Sequence, residues 1–204
     1  MTIRLHLGDL PDLSRYTSSV AIDTETMGLN PYRDRLCVVQ MSNGDGTADV
    51  IQIAKDQHDA PNLKALLANP DITKVFHFAR FDLAVLYHTF GVMPQPVYCT
   101  KIASRLSRTY TDRHGLKDLV REVLNIELSK QQQSSDWGAQ GLSEAQLAYA
   151  ASDVLHLHAL REKLDAMLVR EGRTDLAKAC FEFLPARAKL DLGGWEAEDI
   201  FSHS

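Results

Sequence analysis

The chain has 204 residues, of which 45% are hydrophobic and 24% charged, and this is an ordinary globular composition. Its formal net charge of −5 argues against a protein that grips long nucleic acid through many phosphate contacts. No segment approaches the roughly 18 apolar residues of a membrane span, and residues 1–6 lack the apolar core of a signal peptide, so we expect a cytoplasmic protein. Cys37, Cys99 and Cys180 are an odd number at wide spacings, which predicts buried free thiols.

The apolar patterns and turn signals predict strands and helices along the whole chain. Strands are predicted at 3–6, 19–24, 35–42, 48–53, 74–78 and 97–99, and helices at 61–67, 81–90, 100–109, 115–124, 143–170 and 174–190. Ser143 and Gln146 form a capping-box pattern, and Pro185 should break or kink the last helix. Strands come first and helices dominate later, so we expect an α/β (α+β) fold with a mixed central sheet, in one domain over residues 1–204.

The charge is uneven along the chain. Residues 100–131 carry seven basic and four acidic residues, an excess of three positive charges in an acidic protein. This section suits a small phosphate-bearing substrate, and Arg105 and Arg108 are candidates for phosphate binding. A solvated helix face would have the same composition.

Two carboxylates, Asp23 and Glu25, follow an apolar run and precede a glycine turn. Side chains two apart on a strand point to the same side, so the two acids can converge. Converging carboxylates repel one another and need a compensating cation, for which Mg²⁺ or Mn²⁺ suits oxygen ligands. The alternative is a strand that ends in two solvated acids.

Three further residues extend this pattern. Asp82 lies at the start of the helix that follows the strand at 74–78, where an acid also pairs with the helix dipole. Tyr149 and Asp153 are four apart and share one helix face, although a packed tyrosine and a solvated acid would look alike. Together the chain offers four acids on three elements and a tyrosine one turn from the last acid.

This combination resembles the signature of the DEDD 3′–5′ exonucleases, in the form whose third motif is Y-x-x-x-D. The resemblance covers nearly the whole chain and implies a ribonuclease H-like exonuclease fold. It implies that two divalent cations are held by four acids, which are Asp23, Glu25, Asp82 and Asp153. Tyr149 would position the attacking water, because a phenol of pKa about 10 is a poor base at neutral pH.

Three later blocks resemble the ribonuclease D branch of that family. They are His114 to Leu119, Ser129 to Trp137 and Leu142 to Tyr149. Ribonuclease D continues into helical nucleic-acid-binding domains, whereas this sequence ends at Ser204, and His77 stands where many relatives carry Asn.

A narrower resemblance is to the short alphaproteobacterial enzymes called nano-RNase C. The passages Tyr32 to Gln40, Lys130 to Trp137 and Asp191 to the end carry it. It implies an exoribonuclease that cuts dinucleotides and other very short RNAs to mononucleotides. It also implies a homo-oligomer, an octameric ring. Residues 190–204 are the candidate for the subunit contact, because Trp195, Ile200 and Phe201 stand there among acids.

Substrate contacts are predicted from the same resemblance and from polarity. Leu29 would wedge between two bases, or it is a core leucine after a glycine turn. His77 would contact a phosphate or cap the sheet edge, and Trp137 would stack on a base or pack inside. The remaining candidates are polar neighbours of the acids or of a predicted 5′-phosphate site: Thr24, Lys130, Gln133 and Ser135.

Other functions stay open from the sequence. The enzymatic alternatives are ribonuclease D-like trimming of tRNA or other RNA and a single-strand DNA exonuclease. A non-catalytic RNA-binding scaffold of the same fold is the alternative from another class. Loss of one metal-binding acid would favour the scaffold, and all four are present.

Overall fold

The computed structural model describes residues 2–129, 131–132 and 134–203. Its strands are β1 Thr2–Leu7, β2 Ser19–Thr26, β3 Leu36–Ser42, β4 Thr47–Gln52, β5 Thr73–Phe76 and β6 Val97–Cys99. They form one sheet in the order β1-β4-β3-β2-β5-β6. β3 is antiparallel to β2 and β4, and the other neighbours are parallel, so the predicted mixed sheet is confirmed.

Strand β2 lies inside the sheet between β3 and β5. Val20, Ala21 and Ile22 are fully buried, as a strand covered on both faces requires. Asp23 is paired with Gln40 of β3 in the antiparallel register. The polar residues at the end of β2, from Asp23 onward, therefore directly follow a buried part of the central sheet.

The helices flank this sheet and fill the second half of the chain. They are α1 Pro61–Ala68, α2 Ala79–Phe90, α3 Thr100–Ser107, α4 Leu116–Leu124, α5 Glu144–Leu155, α6 Leu157–Arg170 and α7 Thr174–Leu190, followed by a π-helical turn at Asp191–Trp195. Helix α5 packs against β2, β3 and β4, α6 packs against α3 and α4, and α7 packs against α2. None of the described helices is long and apolar enough to cross a membrane.

The predicted starts and ends of the elements are close to those observed, with two corrections, and one cysteine departs from its predicted burial. The expected single helix over 143–170 is wrong, because the backbone of His156 (φ −105°, ψ −4°) separates α5 from α6. Pro185 does not break the last helix, since α7 runs through it to Leu190, and the alternative of a kink at this residue stays a prediction. Cys37 and Cys99 are buried free thiols as predicted, whereas Cys180 is only half-buried. The single-domain organisation stays a prediction.

Candidate active site

The acid cluster forms where the end of β2 meets helix α5. Asp23 and Glu25 lie two residues apart on β2, and Asp153 lies on α5, which packs across that strand. Their carboxylate oxygens lie within 4.8 Å of one another. The structure thus brings together three of the four predicted acids around one point.

The fourth acid, Asp82, lies in the first turn of α2 and is 3% exposed. Its Oδ1 accepts a hydrogen bond of 2.7 Å from the Thr24 hydroxyl, which ties α2 to the middle of β2. Asp82 is absent from the group of three converging carboxylates, yet the charge of Asp23 raises its pKa. It therefore belongs to the same electrostatic cluster.

The acids raise one another's pKa because they are buried together. Burial is the largest cause for each one, and the repulsion from neighbouring carboxylates adds to it for Glu25, Asp82 and Asp153. Among the described residues, Gln40 and Thr24 are hydrogen-bond donors to this cluster. Converging, desolvated oxygen donors are the chemistry that a hard divalent cation requires. The residues present therefore fit the metal site that the sequence predicts.

Tyr149 lies one helical turn before Asp153, beside the acid cluster. Burial raises the pKa of its phenol well above the usual value, and the charges of Asp153 and Glu25 raise it further. The hydroxyl therefore keeps its proton at neutral pH and acts as a hydrogen-bond donor or acceptor rather than as a base. This agrees with the water-positioning role predicted from the sequence.

Gln40 is a site residue that the sequence analysis missed. Its Nε2 donates a hydrogen bond of 2.7 Å to Oδ2 of Asp23, and its Oε1 is buried without a partner in the described part of the chain. The sequence feature that could have indicated Gln40 is an amide side chain within β3, a strand whose seven residues are all buried. A buried amide in an otherwise apolar strand needs a polar partner, and here that partner is a site acid.

A cavity of about 350 Å³ opens in front of the acids. Asp23, Glu25, Tyr149 and Asp153 line it, together with residues of α3, α4 and the loop before α2. A larger cavity, of about 910 Å³, lies between α6, α7 and β6 and contains none of the predicted site residues. We therefore locate the candidate active site in the smaller cavity.

Phe78 and Lys101 form an aromatic–cation pair on the wall of this smaller cavity. The Nζ of Lys101 lies 4.3 Å from the centre of the Phe78 ring. Phe78 has φ 68° and ψ 44°, a left-handed conformation that costs a side-chain-bearing residue of order 1–3 kcal/mol. It is 46% exposed, so burial of its ring does not explain the strain. Neither residue was predicted as a site residue.

His77 lines the acid cavity, whereas Leu29 lines a neighbouring one. Nδ1 of His77 lies 2.9 Å from the Thr100 hydroxyl, and burial, aided by the charge of Lys101, lowers the His77 pKa to about 3. The imidazole is therefore neutral at physiological pH. Leu29 is 85% exposed, so the alternative of a core leucine is wrong. It lines a second cavity of about 320 Å³, which shares Phe78 with the first.

The other predicted substrate contacts lie farther from the cavity or outside the described residues. Trp137 is 3% exposed, with its ring 6.0 Å from that of Tyr149, which favours packing beneath the tyrosine. Ser135 is half-buried in a turn, where its N–H donates to the Gln132 carbonyl. Lys130 and Gln133 lie outside the described residues.

The two arginines considered for phosphate binding differ in position. Arg108 is 1% exposed and its guanidinium pairs with Glu122 and Ser104, so it is a structural residue. Arg105 lines a cavity of about 300 Å³ that adjoins the site through Phe78 and Lys101. Phosphate binding by Arg108 is therefore a wrong prediction.

The fold and acid cluster define the class of protein, and comparison with known families agrees. Residues 9–169 match the model of the 3′–5′ exonuclease family, and the chain belongs to that family. It is 40% identical to Ribonuclease D of Acidiphilium cryptum over 156 residues, which are 76% of this chain and 39% of that protein. The chain spans about 39% of the length of that relative.

Solved structures of related proteins allow the fold to be compared as well as the sequence. Escherichia coli RNase D is 30% identical with a TM-score of 0.76, covering 85% of this chain and 46% of that one. Brucella melitensis NrnC with bound Mg²⁺ is 64% identical with a TM-score of 0.97, and NrnC bound to pGG is 65% identical with a TM-score of 0.98. Both NrnC matches cover 100% of each chain. The predicted family and exonuclease fold are confirmed.

Proposed function

We propose that this chain is a metal-dependent 3′–5′ exoribonuclease that hydrolyses very short RNAs, especially dinucleotides, to nucleoside 5′-monophosphates. The observation that carries the proposal is the convergence of Asp23, Glu25 and Asp153 beside Tyr149 in one cavity. Its volume of about 350 Å³ is at the small end of ligand sites, which suits a short substrate. The 65% identity to an NrnC that binds pGG also supports it.

The proposed cofactors are two divalent cations, Mg²⁺ or Mn²⁺. Asp23, Glu25, Asp82 and Asp153 would hold them, because these are the carboxylates that burial brings together. When bound, such a pair supplies Lewis acidity toward the attacking water and the departing oxygen of a phosphodiester. The Mg²⁺ in the related NrnC structure supports this assignment.

The chain's own residues orient the reaction. Gln40 fixes the carboxylate of Asp23, and Thr24 fixes that of Asp82. Tyr149, which keeps its proton, holds the attacking water at the phosphorus. The new P–O bond forms from water, the bond from phosphorus to the 3′-oxygen breaks, and that oxygen takes up a proton. The products are a nucleoside 5′-monophosphate and an RNA shorter by one nucleotide.

Substrate contacts are proposed for the residues around this centre. Leu29, exposed at the neighbouring cavity, would separate two bases, and neutral His77 would accept or donate one hydrogen bond. Thr24 belongs to the site through Asp82. Lys130, Gln133 and Ser135 would hold a 5′ phosphate. Trp137 would affect the substrate indirectly, by packing against the ring of Tyr149.

We also propose a homo-oligomer, an octamer, in which the C-terminal segment (residues 190–204) forms the subunit contact. Trp195, Ile200 and Phe201 of this segment are 45%, 43% and 76% exposed. Large exposed apolar side chains near one another are typical of an interface. Static light scattering of the full chain tests this proposal.

A time course on 5′-labelled RNAs of two to seven nucleotides, with Mg²⁺ or Mn²⁺, tests the function. We expect the dinucleotide to be cut fastest and to yield only mononucleotides. Asp153→Asn is the inactive control, and Asp71→Asn, an exposed acid in the loop before β5 that does not line the cavity, is the matched active control. Equal kcat/KM for two and seven nucleotides would refute the proposed preference.

A second candidate function is 3′ trimming of longer or structured RNA. The 30% identity to Escherichia coli RNase D, an exoribonuclease involved in structured RNA processing, favours it. The acidic net charge does not, because long strands are normally held in basic grooves. A precursor tRNA included in the same time course distinguishes the two, since only the trimming enzyme would shorten it at a rate near that of the dinucleotide.

A further inference from the structure

Two lysines, Lys101 and Lys117, line the acid cavity, and Lys101 is the one that contacts an aromatic ring. Lys101, in the first turn of α3, lines the cavity together with Asp23, Glu25 and Asp153. Within the described residues its ammonium makes neither a hydrogen bond nor an ion pair, and its close neighbour is the ring of Phe78. A half-buried lysine normally has an anionic partner or reaches solvent.

The backbone holds Phe78 in a conformation that places its ring against Lys101. Phe78 joins β5 to α2 with a positive φ, which a bulky side chain rarely adopts. The ring remains 46% exposed, so hydrophobic burial does not explain this conformation. Its interaction with the Lys101 ammonium, at 4.3 Å, does give the exposed ring a role.

We infer that Phe78 positions Lys101 to bind a phosphate of the substrate. An anion is the missing partner of the ammonium, and a phosphate group is the anion that the proposed RNA substrate brings into this cavity. Among the other cationic groups, His77 is neutral and Arg108 is buried in an ion pair. Lys117 lines the same cavity, but within the described residues no aromatic ring holds its ammonium in place as Phe78 holds that of Lys101. The inference rests on the proposed function and adds a substrate contact to it.

Two phosphates of a 5′-phosphorylated dinucleotide could be this partner: the bridging phosphodiester and the terminal 5′ phosphate. They are distinguished by measuring the affinities of pGpG, of GpG without the 5′ phosphate, and of pGpG with a neutral methylphosphonate linkage. All three are titrated calorimetrically in EDTA, where the proposed hydrolysis cannot interfere. Wild-type protein should lose affinity when the phosphate that contacts Lys101 is neutralised or removed.

The decisive variant is Lys101→Met, which keeps the length of the side chain and removes its charge. We expect it to bind pGpG about tenfold or more weakly, as for loss of a charge-assisted hydrogen bond. It should also stop distinguishing pGpG from one of the two analogues while still distinguishing the other. Lys101→Arg should restore most of this discrimination, and Lys163→Met, an exposed lysine on α6, should change nothing.

Phe78→Leu tests the positioning role. It keeps an apolar side chain but loses the aromatic face, so it should reduce discrimination at the same phosphate as Lys101→Met. In the double variant the two losses should not add. A loss that is equal for all three ligands would show that Phe78 contacts a base instead, and would overturn its positioning role.

Two results would overturn the inference as a whole. If Lys101→Met discriminates among the three ligands as wild type does, Lys101 binds no phosphate, although the wild-type enzyme can still cut dinucleotides in the time course. If wild type neither binds nor cuts any short RNA, the proposed function fails and the inference fails with it.

Discussion

At the residue scale, the acids of the site oppose the stability of the fold that holds them. Asp23, Glu25 and Asp153 are buried within 4.8 Å of one another, and each has a raised pKa. Removal of one charge relieves repulsion and desolvation in the metal-free protein. Packing alone would therefore select against these acids, and the proposed metal-binding role would account for their presence.

We therefore predict that Asp153→Asn abolishes turnover and leaves the metal-free protein at least as stable as wild type. Mg²⁺ should raise the Tm of wild type, because a ligand that binds only the native state stabilises it. The shift should be much smaller in the variant. Differential scanning fluorimetry with EDTA and with increasing Mg²⁺ checks both statements, and Asp71→Asn serves as the control. A full Mg²⁺ shift in Asp153→Asn would remove this acid from the metal site.

The same acids predict a pH dependence in EDTA. In the unfolded chain an Asp titrates near its ordinary pKa of 3.8, whereas folded Asp153 is raised to about 8. The native state then binds more protons between these values, so the free energy of unfolding should fall as pH rises from about 4 to about 8. Urea denaturation at several pH values measures this slope. Asp153→Asn should flatten it, and a slope of opposite sign would contradict the raised pKa.

Tyr149 yields a separate prediction. Tyr149→Phe removes one hydroxyl beside Asp153 and should leave Mg²⁺ binding intact. We expect kcat to fall by about 10²- to 10⁴-fold, the usual span for a positioned group in proton transfer, with the lower end favoured if the metals share in holding the water. Single-turnover kinetics measure the effect. An unchanged rate would leave Tyr149 only the packing contact with Trp137.

Two substitutions of Phe78 separate the cost of its backbone conformation from the contribution of its ring to substrate binding. Asn tolerates the left-handed conformation better than Phe or Leu does. Phe78→Asn should therefore be at least as stable as Phe78→Leu, although both lose the aromatic face and both should have a lower kcat/KM for a dinucleotide. Chemical denaturation and steady-state kinetics of the two variants test this. A clearly less stable Phe78→Asn would show that the ring stabilises the fold by packing.

At the element scale, helix α5 carries Tyr149 and Asp153 from a well-defined start. The Ser143 hydroxyl accepts from the N–H of Gln146, and the Gln146 side chain accepts from the N–H of Ser143. Gln146 also donates to the carbonyl of Asp136, which ties the preceding loop to the helix. The cap therefore fixes both the start of α5 and the loop that reaches the site.

Ser143→Ala should lower the free energy of unfolding by about 0.5–2 kcal/mol, the usual cost of losing an N-cap side chain. The effect on kcat should be small, because Tyr149 and Asp153 lie in the later turns of α5, which pack on the sheet. Urea denaturation measures the loss. Ser18→Ala, an exposed serine whose hydroxyl makes no hydrogen bond within the described residues, is the matched control.

The elements that the sequence predicted well are those with strong local signals. The strands and the capping box near Ser143 were both predicted from local sequence patterns. The break at His156 was not, because no Pro or Gly marks it, and its cause is that α5 packs on the sheet while α6 packs on α3 and α4. Likewise, the four acids followed from sequence motifs and from the family resemblance that these motifs carry, whereas the role of Gln40 depends on the register of β3 against β2.

Lys101 and Phe78 were missed for a related reason. A lysine in the first turn of a helix and an aromatic residue after a strand are common in sequences. Their significance comes from a positive φ at Phe78 and from the approach of Lys101 to the Phe78 ring, which no local pattern encodes. Tertiary contacts of this kind can be recognised only in the three-dimensional structure.

At the scale of the whole molecule, the C-terminal segment is fastened to the helix that carries Asp82. Arg80 forms two hydrogen bonds to Asp191, of 2.5 and 2.6 Å, and Arg187 also donates to Asp191. Arg80 donates further to the carbonyl of Glu196. Asp191, Gly194 and Glu196 line the cavity next to Leu29, so the segment forms a wall beside the site.

We predict that deletion of residues 192–204 lowers the oligomeric state and weakens the preference for dinucleotides over heptanucleotides. The deletion removes exposed Trp195, Ile200 and Phe201 and part of the wall near Leu29. Light scattering and kcat/KM for the two lengths measure the two effects. A truncated chain that assembles like the full one would exclude the segment as the subunit contact.

The Arg80–Asp191 link also has a practical consequence for anyone who handles this protein. A purification tag at the carboxyl end would be attached to the segment that lines the cavity next to Leu29. Through the Arg80–Asp191 link it would also be connected to the first turn of α2. The amino end begins in β1, the outermost strand on the far side of the sheet from β5 and β6. Fusions, fluorophores and surface-immobilisation handles therefore belong at the amino end.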